Sequence, residues 1–152
     1  MADHMTSLSQ PIMDTLQQET FVVLNTIDSE TGNITANAIS WITAPSPEKL
    51  RIAIDRRSRL INNIQTNERV TVSLFAAGSF YSIQGRAKII QEQMDEVAIK
   101  LACIEVEIDA VWDSMFYGSR ITAPPEYERT YDQRAADKLD AQVFAALKKP
   151  SC

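Results

Sequence analysis

Residues 51–64 read RIAIDRRSRLINNI and contain the change from strand to helix on which the predicted fold rests. In the first half, apolar side chains alternate with polar or small ones, which predicts a strand with one buried face. Ser58 is a favourable helix N-cap, and the apolar spacing from there to about Thr66 indicates an amphipathic helix. The stretch therefore predicts a strand that passes directly into a short crossover helix.

The chain before this stretch predicts a hairpin. Two runs rich in β-branched residues, 20–27 and 34–43, flank residues 28–33, which are dense in turn-forming types. A short amphipathic helix is predicted at about residues 9–18, and we expect residues 1–8 to form a disordered tail. The first two strands are therefore expected to be antiparallel neighbours, with a helix covering one end of the sheet.

The chain after this stretch continues with further strands and helices. Strands at 70–74 and 80–91 form a second predicted hairpin, and apolar residues spaced i, i+3, i+4 and i+7 predict a helix over residues 94–101. A sixth strand is predicted at 104–109, and a last helix over 132–148. One face of the sixth strand is expected to be solvated and acidic, because it carries Glu105, Glu107 and Asp109.

Length and strand number predict one mainly β domain. A chain of 152 residues corresponds to a single domain, and no repeat or linker divides it. Six strands in consecutive hairpins would leave exposed edges in an open sheet, whereas closure into a barrel removes them. We therefore predict an α+β fold built on a six-stranded antiparallel barrel, closed or nearly so, with short peripheral helices.

Charge and hydropathy argue against two classes of partner. The chain has 15 basic and 20 acidic residues, a formal charge of -5, and no block of like charges, so we expect no nucleic-acid partner. No apolar stretch approaches the roughly 20 residues that a bilayer requires. The first ten residues also lack the pattern of a signal peptide. We therefore expect a cytoplasmic protein without a membrane partner.

The inventory of reactive side chains argues against several classes of enzyme. His4 is the only histidine, which removes histidine-based nucleophile triads and histidine metal clusters. Cys103 and Cys152 are the only thiols, too few for a zinc quartet, and four scattered glycines make no phosphate-binding loop. We expect no metal site and assign no catalytic side chain, so a bound cofactor would have to supply the reactive group.

Positive charge is concentrated at the start of the predicted crossover helix. Arg56, Arg57 and Arg59 surround Ser58, although the helix dipole already places about half a positive charge at this end. A dianionic phosphate would make the arrangement favourable, because it accepts bonds from helix N–H groups, the serine hydroxyl and an arginine fork. The alternative is that Asp55 neutralises part of the charge and the arginines are simply solvated.

Three motifs around this helix resemble one known family. Residues 55–70 read DRRSRLINNIQTNERV, residues 38–41 read AISW, and residues 83–87 read IQGRA. In order, spacing and strand context they are similar to the pyridoxamine 5'-phosphate oxidase-like FMN-binding split barrels, from about Thr20 to Met115. The resemblance implies that residues 1–152 form a single FMN-binding split-barrel domain. It also implies a homodimer, with FMN bound in clefts between the subunits.

Individual residues of the family's site are carried over to this chain by position. Ser58 and Arg59 match the positions that hold the FMN phosphate, and Asp55 stands where the family often has threonine or asparagine. Residues 37–41 match the strand whose backbone runs along the flavin ring. The resemblance implies these cofactor-binding candidates: Asn37, Ile39, Ser40, Trp41, Asp55, Ser58, Arg59 and Asn63.

Other positions depart from the family pattern. Leu60 stands where a lysine often follows the phosphate-site arginine, Phe80 replaces a flavin-contacting glutamine, and the C-terminal extension that holds the substrate phosphate is missing. We therefore expect an FMN-dependent oxidoreductase for an unidentified small molecule and not a true pyridoxamine 5'-phosphate oxidase. The alternative is a flavin-storing or general stress protein without turnover, and F420 or haem in place of FMN stays open.

Overall fold

The computed structural model describes residues 4–149 and contains seven strands and three helices over that range. None of these three helices is long and apolar enough to cross a membrane. In chain order the elements are α1 (Gln10–Thr15), β1 (Val22–Ile27), β2 (Ile34–Ile39), β3 (Ile42–Ser46), β4 (Lys49–Asp55), α2 (Arg59–Thr66), β5 (Arg69–Ala76), β6 (Ser79–Gln91), β7 (Leu101–Asp113) and α3 (Gln133–Leu147).

The strands form one antiparallel sheet that must curl round on itself. Its order is β2-β1-β5-β6-β7-β4-β3, so β2 and β3 lie at opposite edges. Only Ser40 and Trp41 separate these two strands in the chain. The link allows at most about 11 Å between Cα of Ile39 and Cα of Ile42. The two edges are therefore brought together, and the predicted mainly β antiparallel barrel is confirmed.

The predicted number of six strands is wrong by one, because the run 34–43 is broken after Ile39. Up to that residue the run pairs with β1, and Ile39 lies opposite Val22. From Ile42 it pairs with β4 instead, and Ile42 lies opposite Ile52. One straight strand cannot pair with both edges of the sheet, so the backbone bends between them and makes two strands.

The predicted hairpins and the predicted strand-to-helix change are confirmed. β1 pairs with β2, and β5 pairs with β6, both antiparallel. β4 ends at Asp55 and α2 begins at Arg59, with Ser58 as its N-cap. α1 has six residues, fewer than predicted, with a proline in its first turn. Strand alternation and capping residues therefore place these elements correctly.

The helix predicted over residues 94–101 is wrong. Most of this stretch connects the two longest strands, β6 and β7, and Leu101 is already the first residue of β7. The N–H of Met94 donates to the carbonyl of Leu101 at 2.7 Å, and Glu96 between them has a φ of 61°. Met94 and Leu101 are both buried. Their apolar character therefore reflects the two ends of a hairpin connection and not one face of a helix.

Helix α3, close to its predicted bounds, buries the outer face of β4 and β7. Its N-cap Asp132 accepts a hydrogen bond from the N–H of Ala135 at 3.0 Å. The five central residues of β4 are all buried, so both faces of this strand are covered where the sequence predicted one. A second apolar cluster, separate from the barrel core, joins the helix to the sheet: Ala53, Met94, Leu101, Cys103, Val143, Ala146 and Leu147.

The acidic face predicted for the sixth strand, here β7, is not solvated at Glu105. That residue is 6% exposed and pairs with Arg51 at 3.2 Å and with Lys49 at 3.3 Å. The Arg51 guanidinium also donates to the carbonyls of Leu147 and Lys149, at the end of α3. The sequence prediction fails here because the distant helix α3 packs over this part of the sheet.

Residues 4–8 pack against the barrel, although we expected them within a disordered tail. Met5 and Val111 exchange two backbone hydrogen bonds, of 2.9 and 2.7 Å. Leu8 is 6% exposed, and its N–H donates to the carbonyl of Pro47 at 2.8 Å. Backbone pairing and apolar burial therefore hold this segment in place. Residues 1–3 of the predicted tail lie outside the described range.

Gly85 lies at a bulge between β6 and β7 where a side chain has no room. A Cβ atom there would lie 2.3 Å from the carbonyl oxygen of Glu107 and 2.7 Å from Cγ1 of Val106. We expect Gly85→Ala to lower the free energy of unfolding by about 2–3 kcal/mol, because the strands must move apart. Urea unfolding measures this, with Lys88→Ala at an exposed position of the same strand as the control. Equal stability of the two variants would contradict the prediction.

Candidate functional site

Two neighbouring cavities open beside the bend between β2 and β3 and the start of α2. Their volumes are about 300 Å³ and about 530 Å³, within the usual range of small-molecule sites, and both are lined by Ser58. Together they bring all the sequence candidates to one part of the surface. The smaller cavity is lined by Ile39, Ser40, Trp41, Asp55 and Ser58. The larger cavity is lined by Asn37, Ser58, Arg59 and Asn63.

Ser58 stands between the two cavities and caps α2. Its Oγ accepts a hydrogen bond from the N–H of Leu60 at 3.2 Å. A hydroxyl that accepts in this bond still has its own hydrogen to donate. Ser58 can therefore stabilise the helix and donate to an anion in either cavity at the same time.

Arg59 is held at the larger cavity by Asp28, a residue that the sequence analysis missed. Nη2 of Arg59 donates to Oδ1 of Asp28, whose side chain is 4% exposed, while 71% of the Arg59 side chain stays exposed. The second carboxylate oxygen accepts from the N–H groups of Thr31, at 2.8 Å, and Glu30, at 3.1 Å. The bond from the Thr31 N–H is the main reason that the pKa of Asp28 is lowered. Asp28 is therefore a fixed anionic partner that orients Arg59.

The other two arginines have partners of their own. Nη2 and Nε of Arg57 donate to the Asp55 carboxylate at 3.2 and 3.3 Å, which lowers the pKa of that carboxyl. Arg56 donates to the amide oxygen of Gln93 at 2.8 Å. The three arginines and their two aspartates leave one net positive charge, to which the helix dipole adds about half a charge. The two aspartates therefore neutralise part of the charge of the three arginines, and the start of α2 keeps a net positive charge.

Asn63 connects the helix to the turn that carries Asp28. The residue is 2% exposed, its Nδ2 donates to Oγ1 of Thr26 at 3.0 Å, and its Oδ1 accepts from the N–H of Ser29 at 2.9 Å. These bonds join α2 to the end of β1. Asn63 therefore helps to set the distance between Arg59 and its acidic partner, and a contact of its own with a cofactor stays a prediction.

The bend itself supplies a strand edge and an aromatic wall. β2 is the last strand of the sheet, so its outer edge presents backbone donors and acceptors without a neighbouring strand among the described residues. Asn37 is exposed on this strand, while Ile39, Ser40 and Trp41 are partly buried. The carbonyl of Trp41 accepts from the N–H of Ala53 at 3.0 Å, which fixes the bend against β4. A planar ligand could contact both features.

Two of the departures from the family pattern have packing roles. Leu60 is 7% exposed and belongs to the barrel core. Phe80 packs on Phe75, with ring centroids 5.1 Å apart. Neither side chain supplies a cation or an amide to the two cavities, so the positive charge of the site depends on the arginines.

The Asp28 carboxylate makes stability depend on pH. Its folded pKa lies below the usual 3.8, so its contribution is present above that value and is lost as the pH falls through the lowered pKa. We expect Asp28→Asn to lower the melting temperature at neutral pH, and its difference from the wild type to shrink below about pH 4. Thermal melts from acid to neutral pH measure this, with Asp14→Asn at an exposed position as the control. A difference that stays constant with pH would contradict the role of the charge.

Solved structures with the same barrel support this assignment of fold. A candidate pyridoxamine 5'-phosphate oxidase from Lactobacillus delbrueckii aligns with a TM-score of 0.61 at 15% identity, over 71% of this chain and 95% of that one. General Stress Protein 26 from Bacillus anthracis gives a TM-score of 0.55 at 16% identity, over 72% and 96%. An F420 reductase gives 0.55 at 17% identity, over 64% and 93%. At these identities the likeness shows the split-barrel fold alone.

Sequence comparison supplies the family. No curated protein matches this chain significantly. The family model for pyridoxamine 5'-phosphate oxidase matches residues 8–113. This stretch includes all seven strands and every residue that lines the two cavities, but it does not include helix α3. Because that match covers more than half of the 152 residues, the chain belongs to the pyridoxamine 5'-phosphate oxidase family.

Proposed function

We propose that this protein binds FMN and acts as a flavin-dependent oxidoreductase on a small molecule in the cytoplasm. The observation that carries the proposal is the start of α2, where Ser58 and an oriented Arg59 meet two adjacent cavities. The excess of positive charge there suits a dianionic phosphate. Membership of a family that includes flavin-binding oxidoreductases supports the same class of ligand.

The residues present fit the three parts of FMN. Ser58 and Arg59 would hold the phosphate, the open edge of β2 near Asn37 would bond the polar edge of the ring, and Ile39 and Trp41 would contact its apolar faces. When bound, FMN supplies the transfer of a hydride or an electron pair. The side chains of the site would bind the ring, orient it and limit the access of water.

We also propose that the protein is a homodimer whose partner covers the site. β2 has no fully buried residue, and Ile34 on it is 78% exposed. Phe116 and Tyr117, in the loop after β7, are 70% and 102% exposed. Exposed apolar groups of this kind commonly mark an interface. Light scattering after gel filtration tests the proposal, and a mass equal to one 17.0 kDa chain would contradict it.

Flavin titration separates the candidate cofactors. The purified protein is mixed with FMN or with F420, passed through a desalting column, and its visible spectrum is recorded. The proposal predicts that the FMN spectrum stays with the protein. If the protein retains F420 and not FMN, the cofactor is F420. If it retains neither, the proposed function is contradicted.

Flavin storage without turnover is the second candidate function. The burial of Leu60 in the core favours it, because the position where the family often has lysine gives no second cation to the phosphate. The test compares the reduction of bound and free FMN by NADH or NADPH, followed by reoxidation with a quinone acceptor. Faster reaction of bound FMN supports the oxidoreductase, and slower reaction supports storage.

A further inference from the structure

The segment beyond the family match reaches back to the bend that lines the smaller cavity. Residues 114–149 lie outside the matched stretch. Within this segment, Oδ1 of Asp140 on α3 accepts a hydrogen bond from Nε1 of Trp41 at 2.8 Å. Trp41, one of the two residues of the bend, is therefore in contact with a part of the chain that the family model does not include.

Arg129 fixes Asp140 in this position. Its Nη2 donates to Oδ2 of Asp140 and to the carboxylate of Glu19, just before β1. The side chains of Arg129 and Asp140 are 18% and 16% exposed, so the ion pair is largely shielded from water. A partly buried carboxylate needs such a partner to stay charged. The guanidinium also lies 5.4 Å from the centre of the Tyr127 ring.

Trp41 lies between this ion pair and the candidate site. On one side its indole packs against the cluster of α3, which contains Val143 and Leu147. On the other side the residue lines the smaller cavity beside Asp55. A tryptophan whose N–H is bonded to a fixed carboxylate has one preferred ring orientation, and a flavin that contacts the ring would gain from it.

We infer that Asp140 and Arg129 are positioning residues that set the orientation of Trp41 against the flavin ring. This inference rests on the proposed function, because it needs a flavin in the cavity. Its consequence differs from that of the phosphate contact. Loss of Asp140 should weaken FMN and riboflavin equally, since both carry the same ring system.

Intrinsic fluorescence reports on Trp41 directly. The chain has two tryptophans, so Trp112→Phe leaves Trp41 as the only one. In that background we expect Asp140→Ala to shift the emission of the flavin-free protein to longer wavelength and to increase its quenching by acrylamide, because the indole is released toward water. Asp137→Ala, at an exposed position of the same helix, is the matched control and should change neither.

Flavin affinity then tests the link to the site. We expect Asp140→Ala to raise the dissociation constants of FMN and riboflavin alike, by about 3- to 10-fold, the range of one lost hydrogen bond. Trp41→Phe keeps a ring and removes the N–H donor, so it should give a similar loss. The double variant Trp41→Phe/Asp140→Ala should be no weaker than either single variant, because both remove the same bond.

The outcomes separate this inference from the proposed function. A released Trp41 with unchanged flavin affinity overturns the inference and leaves FMN binding in place. Additive losses in the double variant also overturn it, because Asp140 would then act independently of Trp41. If the wild type binds neither flavin, the proposed function fails and the inference fails with it. Should Asp140→Ala not fold, Trp41→Phe and Arg129→Gln supply the same comparison.

Discussion

Replacing Arg51 with methionine is expected to lower the free energy of unfolding by about 3–5 kcal/mol. Among the residues that the structure describes, Lys49 is then the one cationic partner left to the buried Glu105, and that lysine is 44% exposed. The substitution also removes the donor to the carbonyls of Leu147 and Lys149, so α3 loses polar contacts with the sheet at this end. Urea unfolding at neutral pH measures the change.

The control for this prediction is an exposed arginine on the same sheet. Arg86 pairs with Glu107 and Asp109, at 3.2 Å each, but its side chain is 46% exposed, so Arg86→Met should cost less than about 1 kcal/mol. The double variant Arg51→Met/Glu105→Leu should recover most of the lost stability, since both charges of the buried pair are then removed. Equal losses for Arg51→Met and Arg86→Met would show that burial of the pair does not matter.

Arg59→Ala is expected to weaken FMN binding by about 10- to 150-fold, or about 1.5–3 kcal/mol, as the loss of a charge-assisted contact. The Asp28 carboxylate then remains at the site without its guanidinium partner and repels the phosphate further. Riboflavin has no phosphate, so its affinity should fall much less. Titrations of flavin fluorescence measure both constants.

Arg134→Ala is the matched control for this prediction. The residue is exposed on α3 and lines neither cavity. Arg134→Ala removes the same charge from the protein as Arg59→Ala. Any general effect of net charge on the binding of an anionic ligand should therefore appear in both variants. If both variants bind FMN equally well, the phosphate does not contact Arg59.

Local sequence signals predicted the strand-to-helix change because its determinants are close together in the chain. Ser58 caps α2 through the N–H of Leu60, two residues away. By contrast, the break after Ile39 lies within a run of uniform β propensity. It depends on which sheet edge each half of the run meets, and so on strands far away in sequence. Burial of Glu105 depends in the same way on α3.

The residues of the candidate site could be predicted where they lie close together in the sequence. The eight residues named from the sequence all line the two cavities, and six of them come from the two runs 37–41 and 58–59. Asp28 was missed because it belongs to a turn 31 residues before Arg59. An aspartate at the start of a turn could have predicted the hydrogen bonds that Asp28 accepts from the backbone of its own turn. Its pairing with Arg59 depends on the fold and could not be predicted from the sequence. Asp140 lies still farther from Trp41 in the chain.

The most direct test of the account is the ratio of the dissociation constants of riboflavin and FMN, measured for the wild type and for Arg59→Ala. The account places the FMN phosphate on Ser58 and Arg59 at the start of α2. It predicts that the wild type binds FMN at least about tenfold more tightly than riboflavin, and that most of this preference disappears in the variant. Equal affinity of the wild type for the two flavins would contradict the account.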